Sequence, residues 1–73
     1  MQAAHTYNYR VKRYHEYLEL HGYFARGEPR LSSAEFAAAD EEFRQLAARH
    51  PRLAAEERQR LAELKALLYR DKP

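Results

Sequence analysis

The chain has 73 residues, of which 45% are hydrophobic and 33% charged, and it contains no cysteine. This length allows one domain with a small core, and the lack of cysteine excludes disulfides and thiolate metal sites. The net charge of +2 is smaller than the basic excess typical of a dedicated nucleic-acid binder. We expect a single domain over residues 1–73 in the cytoplasm, without a membrane span, because long apolar runs and a signal-peptide pattern are absent.

The first predicted helix covers about residues 7–21, with Gly22 as its stop, or Gly27 if the helix continues through Phe24. At about 100° per residue, its large side chains fall on two neighbouring arcs. The first arc, predicted to face the core, contains Tyr7, Val11, Tyr14, Leu18 and His21. The second arc contains Arg10, Arg13, Tyr17, Leu20 and Phe24. Residues 1–6 before the helix are predicted to be flexible.

Five of the six tyrosines lie in the first 23 residues, interleaved with basic residues. A chain without tryptophan can use tyrosine to fill its core, which accounts for Tyr14 and Tyr7. Tyrosine and arginine are also enriched at protein-binding hot spots, and the same pairing can stack on bases and neutralise phosphates. We therefore predict a partner-binding surface, with a protein as the first choice of partner and nucleic acid as the second. Its predicted residues are Tyr9, Arg10, Lys12, Arg13 and Tyr17.

The second predicted helix covers residues 33–49. Ser32 and Glu35 have the spacing of a capping box, and Pro51 disfavours helical geometry in the residue before it. Asp40 and Arg44 are predicted to pair on the solvent face. The predicted core stripe of this helix consists of Phe36, Ala39, Phe43, Leu46 and Ala47.

The third predicted helix covers residues 52–69, with a flexible end at 70–73. Its predicted apolar stripe consists of Leu53, Leu61, Leu64, Leu67 and Leu68. The short turn at Pro51 predicts an antiparallel hairpin of the second and third helices. The sequence thus predicts an all-α fold, a small three-helix bundle.

The chain shows little sign of catalytic chemistry. No two of its four histidines are three or four residues apart, the spacing that places two ligands together on a helix. No phosphate-binding loop or nucleophile motif is present, so we expect neither an enzyme nor a metal or other cofactor. Acidic residues early in the second and third helices, such as Glu35 and Glu56, disfavour a DNA recognition helix, which must approach phosphates.

The length, the lack of cysteine and tryptophan, and the opening Tyr7-Asn8-Tyr9-Arg10-Val11-Lys12-Arg13-Tyr14 together resemble a known family. It comprises small bacteriophage proteins that bind host bacterial RNA polymerase and inhibit or redirect transcription. The resemblance implies binding to a large polymerase subunit, obstruction of promoter engagement by the sigma-bearing enzyme, and no catalysis by the chain itself. The expected function is a protein-binding module of the transcription inhibitor or antiterminator type. A DNA- or RNA-binding regulator and a self-associating helical bundle remain as alternatives, and the oligomeric state is open.

Overall fold

The computed structural model describes residues 2–25 and 27–70, with the side chains of residues 9–25 and 27–70. It contains three helices and, within these residues, no strand, which confirms the predicted all-α class. The chain divides into an N-terminal unit, residues 1–37, and a C-terminal unit, residues 38–73. None of the helices in the described part of the chain combines the length and apolarity needed to cross a membrane.

Helix α1 spans Gln2–Phe24, and is therefore longer at both ends than predicted. Gly22 lies inside the helix, so its assignment as the stop was wrong. The helix continues through Phe24, as the alternative expected, and ends three residues before Gly27. Gly27 has a φ of 86°, in the left-handed region that glycine adopts without steric cost. A glycine within a helix costs about 1 kcal/mol relative to alanine. The flexibility predicted for the two ends stays a prediction; Met1 and residues 71–73 lie outside the described residues.

The loop after α1 is fastened to α1 by side-chain hydrogen bonds. The Tyr14 hydroxyl donates to the carbonyl oxygen of Leu31 at 2.8 Å, and the Tyr17 hydroxyl accepts from the Leu31 amide at 2.9 Å. Nε2 of His21 lies 2.9 Å from the carbonyl oxygen of Glu28. One helix face thus provides partners for three backbone polar groups of a segment that has no regular structure of its own.

Helix α2 spans Ser33–Arg49, the range predicted from its capping box and from Pro51. The Glu35 amide donates to Oγ of Ser32 at 3.1 Å, and the Ser32 amide donates to the Glu35 carboxylate at 2.8 Å. The two bonds satisfy amides that the first helical turn leaves without backbone acceptors, which fixes the start of the helix.

Helix α3 spans Ala55–Leu67 and begins three residues later than predicted, because residues 51–54 form the turn. The Glu57 carboxylate accepts a hydrogen bond from the Ala54 amide at 2.9 Å. It also accepts hydrogen bonds from both terminal nitrogens of Arg49, at 2.7 and 3.1 Å. Farther from the turn, Arg60 donates to both carboxylate oxygens of Glu42. Partners at increasing distance before and after the turn confirm the antiparallel hairpin.

Leucines from α2, from α3 and from the turn between them form the core of the C-terminal unit. Leu64 and Leu68 are almost completely inaccessible to solvent. Two residues of the predicted stripes are exposed instead, Ala47 in the last turn of α2 and Leu67 at 43%. Leu67 lies about 100° around α3 from Leu68, at the edge of the buried stripe rather than at its centre. The buried core residues are Leu46, Leu53, Leu61 and Leu64, with Ala39 and Phe43 packed against them.

Asp40 is buried, with 6% of its surface exposed, so its predicted place on the solvent face of α2 was wrong. The end of α3 explains this burial. Tyr69 adopts a φ of 58°, and the Arg70 amide then donates back to the carbonyl oxygen of Lys65 at 2.7 Å. From this position the guanidinium of Arg70 donates to Oδ1 of Asp40 at 2.6 Å and lies 5.7 Å from the centre of the Phe43 ring.

The substitution Asp40→Asn is expected to lower the free energy of unfolding by about 3 kcal/mol, because it leaves the Arg70 charge buried without its counter-ion. Glu42→Gln, on the same helix as Asp40, removes a carboxylate from the exposed pair with Arg60 and should cost much less, because solvent screens exposed ion pairs. Urea unfolding followed by circular dichroism compares the two variants. Equal losses would contradict the special role of the buried pair.

The free energy of unfolding is expected to fall on acidification. Hydrogen bonds from Arg60 to Glu42, and from the Ala54 amide and Arg49 to Glu57, lower the pKa of both carboxyls. A lowered folded-state pKa contributes stability above the unfolded value, about 4.3 for glutamate, and this contribution is lost as the pH falls through the folded value. Urea unfolding measured from pH 6 to pH 2.5 should show a shallower decline for the double variant Glu42→Gln, Glu57→Gln. An unchanged slope would show that these bonds do not control acid stability.

Candidate protein-binding surface

Tyr17, predicted to contact a partner, is instead a core residue of the N-terminal unit with 3% of its surface exposed. Its ring centre lies 5.2 Å from that of Phe36 and 6.0 Å from that of Tyr14, onto which it stacks. Its hydroxyl accepts the Leu31 amide, so the polar end of the side chain is also used internally. Since ring and hydroxyl are both engaged within the unit, the prediction of Tyr17 as a surface contact was wrong.

Arg13 is also held within α1. Its guanidinium donates to the Glu16 carboxylate at 2.9 Å and lies 6.0 Å from the centre of the Tyr9 ring. Its side chain is 29% exposed, and its Nε is buried without a hydrogen-bond partner among the described residues. A partner that took this guanidinium would have to compete with Glu16.

The other three predicted contacts are accessible but do not share one face. Tyr9 is 39% exposed, and Arg10 and Lys12 are both exposed. At about 100° per residue, Arg10 and Lys12 lie on opposite sides of Tyr9 and about 160° apart around the helix. A partner that packs against Tyr9 and Lys12 therefore leaves Arg10 at its edge or beyond it. The predicted surface is thus divided, and only Tyr9 and Lys12 remain together.

The most exposed large apolar residue in the described chain is Tyr23, at 83%, which was not among the predicted contacts. Phe24 beside it is 42% exposed, and the two rings meet edge to face with their centres 4.9 Å apart. This pair could not be predicted from a helix that stops at Gly22, because Tyr23 then lies in a loop. With the helix extended through Phe24, Tyr23 occupies a defined position on α1.

We call the row of residues that contains Tyr23 the outer face of α1. Its members follow one another at spacings of 3, 4, 3 and 4 residues, which keeps them on one side of a helix. This spacing was readable in the sequence once the helix end was known. The row carries aromatic rings at both ends, about 21 Å apart at 1.5 Å per residue, and charges between them. The outer face consists of Tyr9, Lys12, Glu16, Glu19 and Tyr23.

Most carboxylates of the described residues form ion pairs with arginine. In the C-terminal unit, Asp40, Glu42 and Glu57 each form an ion pair with an arginine. The hydrogen bond to Glu42 raises the pKa of Arg60 above its usual range. No group of three or more metal-ligating side chains occurs within the described part of the chain. This arrangement of ion pairs stabilises the hairpin.

An open surface depression lies at the turn between α2 and α3, lined by residues 48–52. It contains Arg49, His50 and Arg52, and so has the composition of an anion-binding surface. Arg49 is already bound through two hydrogen bonds to Glu57. The outer face of α1 is therefore the stronger candidate for a binding surface.

No family model, curated protein or solved structure matches this chain.

Replacement of Tyr17 and, separately, of Tyr23 by phenylalanine should distinguish the buried tyrosine from the exposed one by the change in the free energy of unfolding. Tyr17→Phe leaves the partly buried Leu31 amide without its acceptor and should lower the free energy of unfolding by about 1–2 kcal/mol. Tyr23→Phe should change it by less than about 0.5 kcal/mol, because the residue is on the surface. Urea unfolding of both variants provides the measurement. A larger loss from Tyr23→Phe than from Tyr17→Phe would reverse the assignment.

Proposed function

We propose that this chain is a non-catalytic protein-binding module that acts on a larger assembly. The exposed aromatic pair of Tyr23 and Phe24 at the end of α1 supports this proposal most directly. Removal of a large aromatic side chain from water is favourable, and tyrosine is enriched at the centres of protein interfaces. Two such rings in mutual contact form a rigid anchor that loses little side-chain entropy on binding.

The surroundings of the anchor also favour a protein partner over nucleic acid. The outer face carries one lysine and two glutamates between its tyrosines, and Glu19 is exposed beside Tyr23. A surface that tracks phosphates is rich in cations, whereas a mixed surface can complement the uneven charge of a protein. The involvement of Asp40, Glu42 and Glu57 in ion pairs supports a role without catalysis.

The resemblance of the basic and aromatic opening of the sequence suggests bacterial RNA polymerase as the partner. On this proposal the chain binds a large subunit through the end of α1 and inhibits or redirects transcription. Burial of Tyr17 shifts the proposed contact from the middle of α1 to Tyr23 and Phe24, with Tyr9 and Lys12 as additional contacts.

The double variant Tyr23→Ala, Phe24→Ala is expected to bind purified bacterial RNA polymerase at least about 30-fold more weakly than the unaltered chain. This factor corresponds to the loss of one hot spot of about 2 kcal/mol. Leu67→Ala is the matched control, because it removes an exposed apolar side chain, 43% accessible, from α3. Biolayer interferometry with core enzyme and with the sigma-bearing enzyme measures binding, and run-off transcription measures the effect.

Equal affinity of the double variant and the unaltered chain, with helical circular dichroism preserved, would exclude the end of α1 as the contact. No binding of the unaltered chain at tens of micromolar would exclude the polymerase. Binding to random duplex DNA that declines log-linearly with salt would instead assign the nucleic-acid alternative.

A further inference from the structure

We propose that the outer face of α1 also binds the outer face of a second copy of the chain. The two helices run antiparallel about a two-fold axis that passes between His15 and Glu16. This pairing is distinct from the proposed function and does not depend on it. It rests on the order of charges and rings along the outer face, which is complementary to itself when reversed.

The charges of this face are placed symmetrically about the proposed axis. Lys12 precedes the midpoint between His15 and Glu16 by the same distance along the helix by which Glu19 follows it. Both side chains are exposed, and neither has an ion pair or hydrogen bond with another described residue. A two-fold axis therefore sets Lys12 of each copy opposite Glu19 of the other, which forms two equivalent ion pairs.

The aromatic residues follow the same symmetry to within one residue. Tyr9 lies near one end of the face and Tyr23 near the other, so antiparallel pairing brings Tyr9 of one copy beside Tyr23 of its partner. The mismatch of one residue corresponds to about 1.5 Å along the axis, which the length of a tyrosine ring can span. Burial of the Tyr23 ring, 83% exposed in the single chain, provides the apolar contact that the ion pairs do not supply.

The charge order also selects the orientation. In a parallel pair each residue would meet its own copy, so lysine would face lysine at Lys12 and glutamate would face glutamate at Glu19.

Glu16 lies beside the axis in the antiparallel pair, where its carboxylate approaches the same group of the second copy. Its ion pair with Arg13, at 2.9 Å, places a positive charge at this point and reduces the repulsion.

The pairing covers Tyr23 and Lys12, which are also parts of the surface proposed to bind a larger partner. Self-association and partner binding should therefore compete. A weak dimer would keep Tyr23 covered at high concentration and release it on dilution or on contact with the partner.

Charge reversal at Lys12 and Glu19 tests the pairing in the full chain, by sedimentation equilibrium from 10 µM to 1 mM at low salt. Lys12→Glu leaves two negative residues and Glu19→Lys two positive residues at these positions, so each single variant should dimerise at least about tenfold more weakly. An equimolar mixture of the two single variants should form a heterodimer, because every pair is again of opposite charge. The double variant Lys12→Glu, Glu19→Lys should regain dimerisation close to that of the unaltered chain.

Arg52→Glu is the control, because it reverses an exposed charge outside α1 and should leave the dimer unchanged. Helical circular dichroism of each variant shows whether its fold is intact. A chain that is monomeric at 1 mM would overturn the proposal. Single variants that fold and dimerise as well as the unaltered chain, or a mixture that does not form heterodimers, would also overturn it. These results are independent of binding to the polymerase, which is measured with the polymerase present.

Discussion

The hydroxyl of Tyr17 accepts a hydrogen bond from the Leu31 amide at 2.9 Å, while its ring packs against those of Tyr14 and Phe36. This single side chain therefore joins α1, the loop and the first turns of α2 within the N-terminal unit. An amide left without an acceptor in a partly buried position would cost more than the bond itself contributes, so the loop is held at this point. The rotation of α1 about its own axis follows from it, because Tyr17 must face inward.

That rotation decides which residues can meet a partner. With Tyr17 inward, Arg13 lies at the border of the buried side and binds Glu16, whereas Tyr23, about 120° around the helix from Tyr17, is exposed. A surface that combined Arg13 and Tyr17 would require the loop to leave α1. The outer face with Tyr23 is accessible without any such change, and for this reason it supports both the proposed partner binding and the proposed self-association.

Much of the fold could be predicted from the sequence, because its signals are local. Ser32 and Glu35 mark the start of α2 through bonds between near neighbours, and Pro51 marks its end. The errors concern residues whose environment depends on distant parts of the chain. Asp40 is buried because Arg70, thirty residues later, turns back to it. Tyr17 is buried because of Leu31 and Phe36. Helical periodicity placed it on the second arc, beside the arc predicted to face the core, and could not show that these distant residues would cover it.

Tyr17 lies in the interior of the N-terminal unit, whereas the exposed Tyr23 is proposed to contact the partner. Tyrosine modification followed by mass spectrometry, on the free chain and on the chain mixed with bacterial RNA polymerase, tests both assignments. At low chain concentration, where a weak dimer dissociates, Tyr23 should be modified in the free chain and protected by the polymerase, and Tyr17 should be unmodified in both samples. Modification of Tyr17 in the free chain, with protection of Tyr17 and not of Tyr23 by the polymerase, would contradict both assignments.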